Sequence, residues 1–539
     1  MNAGGHPGAA SPLAPPLPAP GEIRSWEHLY GAARTLALVS AAGRSEVPLV
    51  VLAADPAAAE RLLEEIRFFD PLGAAPVQYF PAWETLPYDL FSPYQDIVSA
   101  RLRALSELGR ARRGLIVVPA ATIMHRLLPG DFLRRHSLVL AAGERLDLSA
   151  FRVELAGSGY RFVPQVEEHG DAAVRGSLLD IFPMGAQAPY RIDLLDDVVD
   201  SIRSFDPETQ RSQDRQERIE ILPARETVLT DETIARFRSG WRQRFPGNPG
   251  DSPVYREVSA GNAPAGIEYF LPLFYEGTQS LFDYVPGACI VVFDEGVAGA
   301  LDSFWKDVSE RYEQGRHDRE RPLLPPSELF YSPDELRALA ARYPRIEAGG
   351  LTSALPGAVS FSTRAPLQLP VDARARDPLL ALREFLNRFG GRVLFAAESA
   401  GRRETLVELF GRHGLRPAPV SGWNEFLSGA GTLALTVAPL EQGAVLEEPR
   451  VAVISESQLF GERAQQRRLR RRRQQDSDAV VRNLTELTIG SPVVHELHGV
   501  GRYLGLTLLT AGGLPGEFIK LEYEDGDLLY VPVASLDLI

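Results

Sequence analysis

Residues 160–212 read as a run of short β-strands, whereas the sequence on either side reads as strands alternating with helices. A chain built this way has few solutions: the period-two stretch forms a sheet module of its own that interrupts an α/β domain. Within the stretch, Val174, Ser177 and Leu179 alternate with Arg175, Leu178 and Asp180, and Ile181 and Phe182 follow. Pro183-Met184-Gly185 breaks the chain, a second strand runs over 190–195, and Asp196-Asp197 is a turn signal before a third strand over 198–205. Arg175 is expected on the face opposite Leu179 and Ile181, and period two gathers Arg191, Asp193 and Leu195 on one face of the next strand. A solvated sheet face explains exposed charge well enough. Guanidinium forks, a carboxylate and an exposed leucine on one surface also make an interface composition, and spacing alone leaves both readings open.

Outside this stretch the period lengthens. The apolar runs at 47–53 and 114–119 (GLIVVP) are buried-strand patterns, and 58–69 places Leu62, Leu63, Ile66 and Phe69 at helical spacing. Thr230-Asp231 marks a helix start, 288–293 (ACIVVF) is a core strand, and Asp294 opens a further helix. Such alternation implies a parallel sheet covered on both faces. Trp83, Pro87, Tyr88 and Pro93 form an aromatic loop leading into a helix from about Ile97. Residues 345–458 repeat the strand–helix alternation on a smaller scale, with strands at 392–396, 433–437 and 451–454.

Bulk properties exclude several classes. The 539 residues are enough for several domains. One cysteine, Cys289, rules out a disulfide framework and a multi-cysteine metal site and suits a reducing cytoplasm. Nothing in the sequence is long and apolar enough to span a bilayer, so no membrane partner is expected. A net charge of −14 means that any nucleic-acid contact needs a local basic patch. Residues 463–473 hold seven arginines and no acid, including Arg467, Arg468, Arg470 and Arg471. A solvated linker is the favoured reading, and a phosphate-binding strip is the functional alternative. Residues 1–20, mostly Gly, Ala and Pro, read as a disordered tail rather than a secretory signal.

The stretch EHGDAAVRGSLLDIFPMG, followed by PYRIDLLDDVVDSIRSFDPETQRS, resembles the transcription-repair coupling factor family in the module it shares with the excision-repair protein UvrB. The resemblance implies a docking site for the excision-repair ATPase UvrA, with contacts at Arg175, Arg191 and Leu195; the family carries an aromatic where Leu195 stands. It continues through PAGIEYFLPLFYE. VVHELHGVGRYLG with FIKLEYEDGDLLYVPVASLDLI is similar to the family's polymerase-interacting domain, shared with CarD-type regulators. That likeness implies contact with the RNA polymerase β subunit through an edge strand at Val494, His495, Glu496 and Leu497. Seven acids against Arg502 and Lys520 in residues 489–539 fit a protein partner better than DNA. His495 and His498 lack the accompanying ligands of a metal site, so no metal is expected.

UvrB carries a phosphate loop near its start. Here the corresponding place, residues 29–40, reads LYGAARTLALVS: Gly31 is present, and no GK[ST] follows it anywhere in the chain. Without the lysine and the helix-opening glycines, ATP loses most of its phosphate contacts. The expected fold class is therefore α/β: a degenerate UvrB-like motor lobe with an inserted α+β docking module, a further small α/β domain and a C-terminal small β-barrel. The expected boundaries are a disordered tail over 1–23, the lobe over 24–136 and 223–344, the docking module over 137–222, the small α/β domain over 345–458, an Arg-rich linker over 459–480 and the barrel over 481–539. The resemblance implies a cytoplasmic, monomeric adaptor: two docking sites, no catalytic residue and no cofactor. The ATP- and Mg-dependent motor that acts on double-stranded DNA is expected beyond Ile539. Two rivals remain: a UvrB-type ATPase that binds damage, against which the missing GK[ST] counts, and a CarD-type transcription regulator, which leaves the UvrB-like half unexplained.

Overall fold

A computed structural model describes residues 9–461, apart from 71–72, 286, 351–357 and 373, and residues 490–532, apart from 496–498, 512–513 and 524–526. The chain forms two compact units, residues 1–82 with 94–465 and residues 83–93 with 466–539.

The first unit is mixed α/β with several sheets. Its largest sheet has seven parallel strands, ordered Val359–Ser360, Ile23–Glu27, Arg345–Gly350, Ile290–Phe293, Leu49–Ala53, Leu115–Pro119 and Val77–Tyr79. Leu49–Ala53 and Leu115–Pro119 are buried along their whole length, as continuous apolar strands covered on both faces must be. The helix Pro56–Phe69 starts where the sequence places Pro after a cap: the Asp55 side chain accepts from the Ala58 N–H, and Pro56 has no N–H to satisfy. Thr230 caps Asp231–Arg244 in the same way.

Residues 138–222 leave this sheet and return to it. The return is fixed by a buried ion pair between Arg101, on the helix Gln95–Leu108, and Glu226: Nε to Oε1 is 2.5 Å, and neither side chain is more than 2% exposed. Arg101 also donates to the Pro81 carbonyl at 2.8 Å and lies 4.3 Å above the Phe80 ring. Removing one partner of such a pair leaves an uncompensated buried charge, so the two segments flanking the insertion are held together.

The amino-terminal segment corrects the sequence reading. Residues 9–22, expected as disordered tail, lie against the domain. Pro12, Pro15 and Pro18 are buried, the first of them in a turn closed by the Ala14 N–H donating to the Ser11 carbonyl at 3.0 Å. Leu13 and Leu17 pack on the core, Arg44 donates to the Pro15 carbonyl, and Ala10 pairs with Phe361. Low hydrophobicity argues for disorder only when the segment has no apolar side chains to bury.

Residues 363–455 form a second, six-stranded sheet in the order Thr363–Arg364, Ala444–Leu446, Val451–Ser455, Arg392–Ala397, Leu433–Val437, Ala418–Pro419. Its four last-named strands are parallel, and the first two attach antiparallel. One face of this sheet shares a single hydrophobic core with the helices Ala33–Arg44 and Pro56–Phe69 of the first. Trp423 seals the junction, its ring 5.2 Å from Phe69 and 6.4 Å from Phe68.

In the second unit, the described residues of the C-terminal region form a four-stranded antiparallel meander: Pro492–His495, Gly499–Ala511, Leu514–Glu522, Leu528–Pro532. Val493, Tyr503, Ile519, Leu521 and Val531 make its core.

Candidate docking face and the turn at Gly31

The inserted module is a six-stranded sheet ordered Ser212–Gln216, Val198–Phe205, Tyr190–Leu195, Leu178–Ile181, Asp171–Arg175, Arg161–Phe162. The alternation read as one strand through 174–181 is two strands joined by the two-residue turn Gly176-Ser177, with Gly176 at φ +63°. A second tight turn, Asp196-Asp197, joins Leu195 to Val198 and holds Asp196 at φ +56°, a conformation Asp tolerates.

Directly paired residues of an antiparallel ladder share a face. Arg175 pairs with Leu178 and Leu178 with Asp193, while Asp180 pairs with Arg191. Arg175, Arg191 and Leu195 therefore lie on one face, and Leu179, Ile192 and Ile202 are buried on the other. Leu195 is 69% exposed at the turn. Arg175 is exposed and donates to the Pro164 carbonyl. An open cavity of about 600 Å³ is lined by the two turns and by residues 145–148.

Arg191 is more constrained than its spacing suggests. Its Nε and Nη2 donate to the two carboxylate oxygens of Asp180, each at 2.8 Å, and Nη1 donates to the Gln210 carbonyl at 3.2 Å. The guanidinium sits 4.9 Å over the Phe205 ring, and Asp180 is buried. The Asp180 contact raises the Arg191 pKa above its ordinary value. Only the outer edge of the fork is left for a partner.

Of the expected polymerase contacts, Val494 and His495 lie on Pro492–His495, which pairs on one side with Gly499–Ala511 and ends the described sheet. Glu496 and Leu497 lie outside the described residues, as do Arg467, Arg468, Arg470 and Arg471. Among the described residues no cluster of three or more His, Cys, Asp or Glu is arranged to hold a metal, and no helix is long and apolar enough to cross a membrane.

The turn at Gly31, where the resemblance leads one to expect a phosphate loop, is filled from within the chain. Gly31 has φ +53° and precedes the helix Ala33–Arg44. The Ala32 N–H, at the start of that helix, donates to the Gly443 carbonyl at 3.1 Å. Helix N-termini attract anions because their amides are unsatisfied; here a carbonyl from the second sheet takes that role. A Cβ built on Gly31 would stand 2.1 Å from the same oxygen. Beyond this turn, Arg34 reaches Asp294 at 3.1 Å and Glu295 at 2.9 Å. These carboxylates follow the strand Ile290–Phe293, and the helix expected to open at Asp294 starts at Val297. Thr35 donates its hydroxyl to Glu65, whose carboxyl is pushed up to about 6 by burial, and burial also raises Asp294. The turn thus carries no lysine, its first helical amide is bonded to a carbonyl, and the nearby acids pair with Arg34.

Sequence reasoning missed Asp180, Arg101, Glu226 and Gly443, because each acts on a residue distant in the chain. Only the Asp180–Arg191 pairing had a local signal, since a one-turn hairpin fold of 178–195 brings the two opposite each other.

Three family models match the chain: the UvrB interaction domain over residues 138–226, the MFD D3 domain over 385–459 and the CarD-like/TRCF RID domain over 487–539. The chain is 43% identical over 524 residues to the transcription-repair-coupling factor of Escherichia coli K12, covering 96% of this chain and 45% of that protein. It is 40% identical to that of Haemophilus influenzae, over 94% and 44% of the two chains, and 32% identical to that of Myxococcus xanthus, over 95% and 45%. The chain thus spans rather less than half the length of these relatives. On this evidence of shared domains and near-complete alignment, it belongs to the transcription-repair coupling factor family.

Proposed function

We propose that this chain is the adaptor part of a transcription-repair coupling factor. It meets RNA polymerase stalled at DNA damage through the domain at 487–539 and brings in UvrA through the module at 138–226. The observation that carries this reading is the single exposed face holding Arg175, the outer edge of Arg191 and Leu195, in a module that matches the UvrB interaction domain. The finer expectations belong to the same proposal. The seven-stranded sheet is a motor lobe that has lost its nucleotide site, the last sheet is a small bent barrel, and the edge strand at 492–495 takes the polymerase β subunit. An unpaired strand edge offers amides and carbonyls to a partner strand, which supports that last assignment.

The chain itself works in the cytoplasm as a monomer, without catalysis or cofactor. ATP, Mg and double-stranded DNA belong to a motor outside these residues. Committed groups at 31–35 and 294–295 support a cleft that does no nucleotide chemistry.

Purified chain should bind UvrA and an isolated lobe of the polymerase β subunit separately, and should show no DNA-stimulated ATP hydrolysis. ATP turnover would favour the UvrB-type rival. Binding to the β lobe without any binding to UvrA would favour the CarD-type one.

A further inference from the structure

The register of the inserted module carries more than the three expected contacts. Asp180 stands opposite Arg191, Arg191 opposite Arg203, and Arg203 opposite Arg215, in one row across four neighbouring strands. Neighbouring strands are about 4.8 Å apart, so three guanidinium groups follow one another at close spacing. Like charges placed directly opposite each other destabilise a sheet. Asp180 compensates Arg191 alone. Arg203 and Arg215 are both exposed, and neither is paired with a carboxylate among the described residues; Arg215 donates to the Asp200 carbonyl at 3.4 Å. Asp193, also on this face, sits opposite Leu178 and Ser201 rather than opposite an arginine. In a chain of net charge −14, such a row is not part of a generally basic surface.

We propose that Arg203 and Arg215 extend the docking face into a row of guanidinium groups that binds carboxylates on the docking protein. Guanidinium forks match carboxylates in two-point contacts, and the unfavourable repulsion within the row is relieved when acids of a partner approach it. A protein surface fits better than a phosphate backbone because Leu178 and Leu195 lie on the same face, beside the charges. The inference rests on the reading of this module as the UvrA-docking face, and it adds determinants at the far end of the sheet from Arg175.

The test uses the full chain with Arg203→Glu, Arg215→Glu, Arg203→Gln and Arg175→Ala, measuring UvrA affinity by calorimetry at low and moderate salt and stability by urea unfolding. Each charge reversal should weaken UvrA binding about tenfold or more and flatten its salt dependence, while stability is unchanged or raised by relief of the repulsion. Arg203→Gln should fall between wild type and Arg203→Glu. Weaker binding by Arg175→Ala with unchanged binding by both reversals overturns this inference and leaves the docking reading standing. Unchanged binding by all four variants overturns both. A loss of affinity that tracks a loss of stability assigns the row a structural role and overturns the proposal. Unchanged UvrA affinity with loss of binding to a short duplex DNA overturns it in favour of a nucleic-acid face.

Discussion

Asp180 and Arg191 face each other across neighbouring strands and are joined by two parallel N–H···O bonds of 2.8 Å, with the carboxylate buried and the guanidinium about one-fifth exposed. The arginine proposed to dock UvrA is thus a structural pillar of the module. Arg191→Ala should strand a buried carboxylate and cost about 3–5 kcal/mol of stability. In the Asp180→Leu/Arg191→Met double variant most of that loss should return, because both charges are gone. Urea unfolding of wild type and the two variants measures this; equal stabilities for wild type and Arg191→Ala would show that the pair contributes nothing.

Arg175 stands differently. It is exposed and holds only a carbonyl among the described residues, so Arg175→Ala should change stability by no more than about 0.5 kcal/mol. A binding defect in this variant therefore reports on the partner, whereas a defect in Arg191→Ala confounds binding with folding.

The turn at Gly31 should tolerate no side chain. Its φ of +53° costs an L-residue about 1–2 kcal/mol, and the Gly443 carbonyl already occupies the position of a Cβ. Gly31→Ala should lower the unfolding free energy by more than about 2 kcal/mol, the strain being joined by loss of the Ala32 amide bond. Calorimetry should detect no micromolar ATP binding to wild-type chain, and heat of binding at that level would contradict the cleft as described.

Glu65 supplies a pH signature. Burial raises its carboxyl from 4.5 to about 6, against the opposing effects of the Thr35 hydroxyl and nearby Arg34 and Arg61. The folded chain therefore holds this proton more tightly than the unfolded chain. Its contribution is most favourable below pH 4.5 and is lost as pH rises through 6, a change of up to about 2 kcal/mol. Glu65→Gln keeps an acceptor for Thr35 and should be more stable than wild type by about that amount at pH 7, with no difference near pH 4. Parallel stability curves across this window would exclude the assignment.

The proline strap should contribute to the first unit. Deleting residues 1–20 uncovers core packed by Leu13 and Leu17 and removes buried Pro12, Pro15 and Pro18. A loss of about 2–4 kcal/mol is expected from burying side chains of this kind. Unchanged thermal unfolding of the truncated chain would return the segment to the status of a tail.

What the sequence made legible was local. Strands Tyr190–Leu195, Val198–Phe205 and Leu433–Val437 carry their apolar pattern and turn signals within themselves, and their bounds match the reading. The turn at Gly176-Ser177 shifts the alternation by one residue, so Arg175 and Leu178 share a face that an unbroken strand would not give them, and only the pairing across the hairpin reveals this. Composition misled at the strap, where proline content argues for disorder but Pro12, Pro15 and Pro18 are buried beside Leu13 and Leu17. Arg101 with Glu226, and Ala32 with Gly443, meet only after the sheets assemble, and no local pattern announces them. Arg203 and Arg215 look like ordinary solvated charges until the register places them opposite each other.

The central claim is that the face carrying Arg175 and Leu195 docks UvrA. The most direct measurement is UvrA affinity of the Arg175→Ala chain against wild type, with unfolding curves recorded on the same preparations. The account predicts binding weaker by about tenfold or more at unchanged stability, as expected for loss of a charge-assisted contact. Equal affinity in a variant that is equally stable would contradict it and move the docking site off this face.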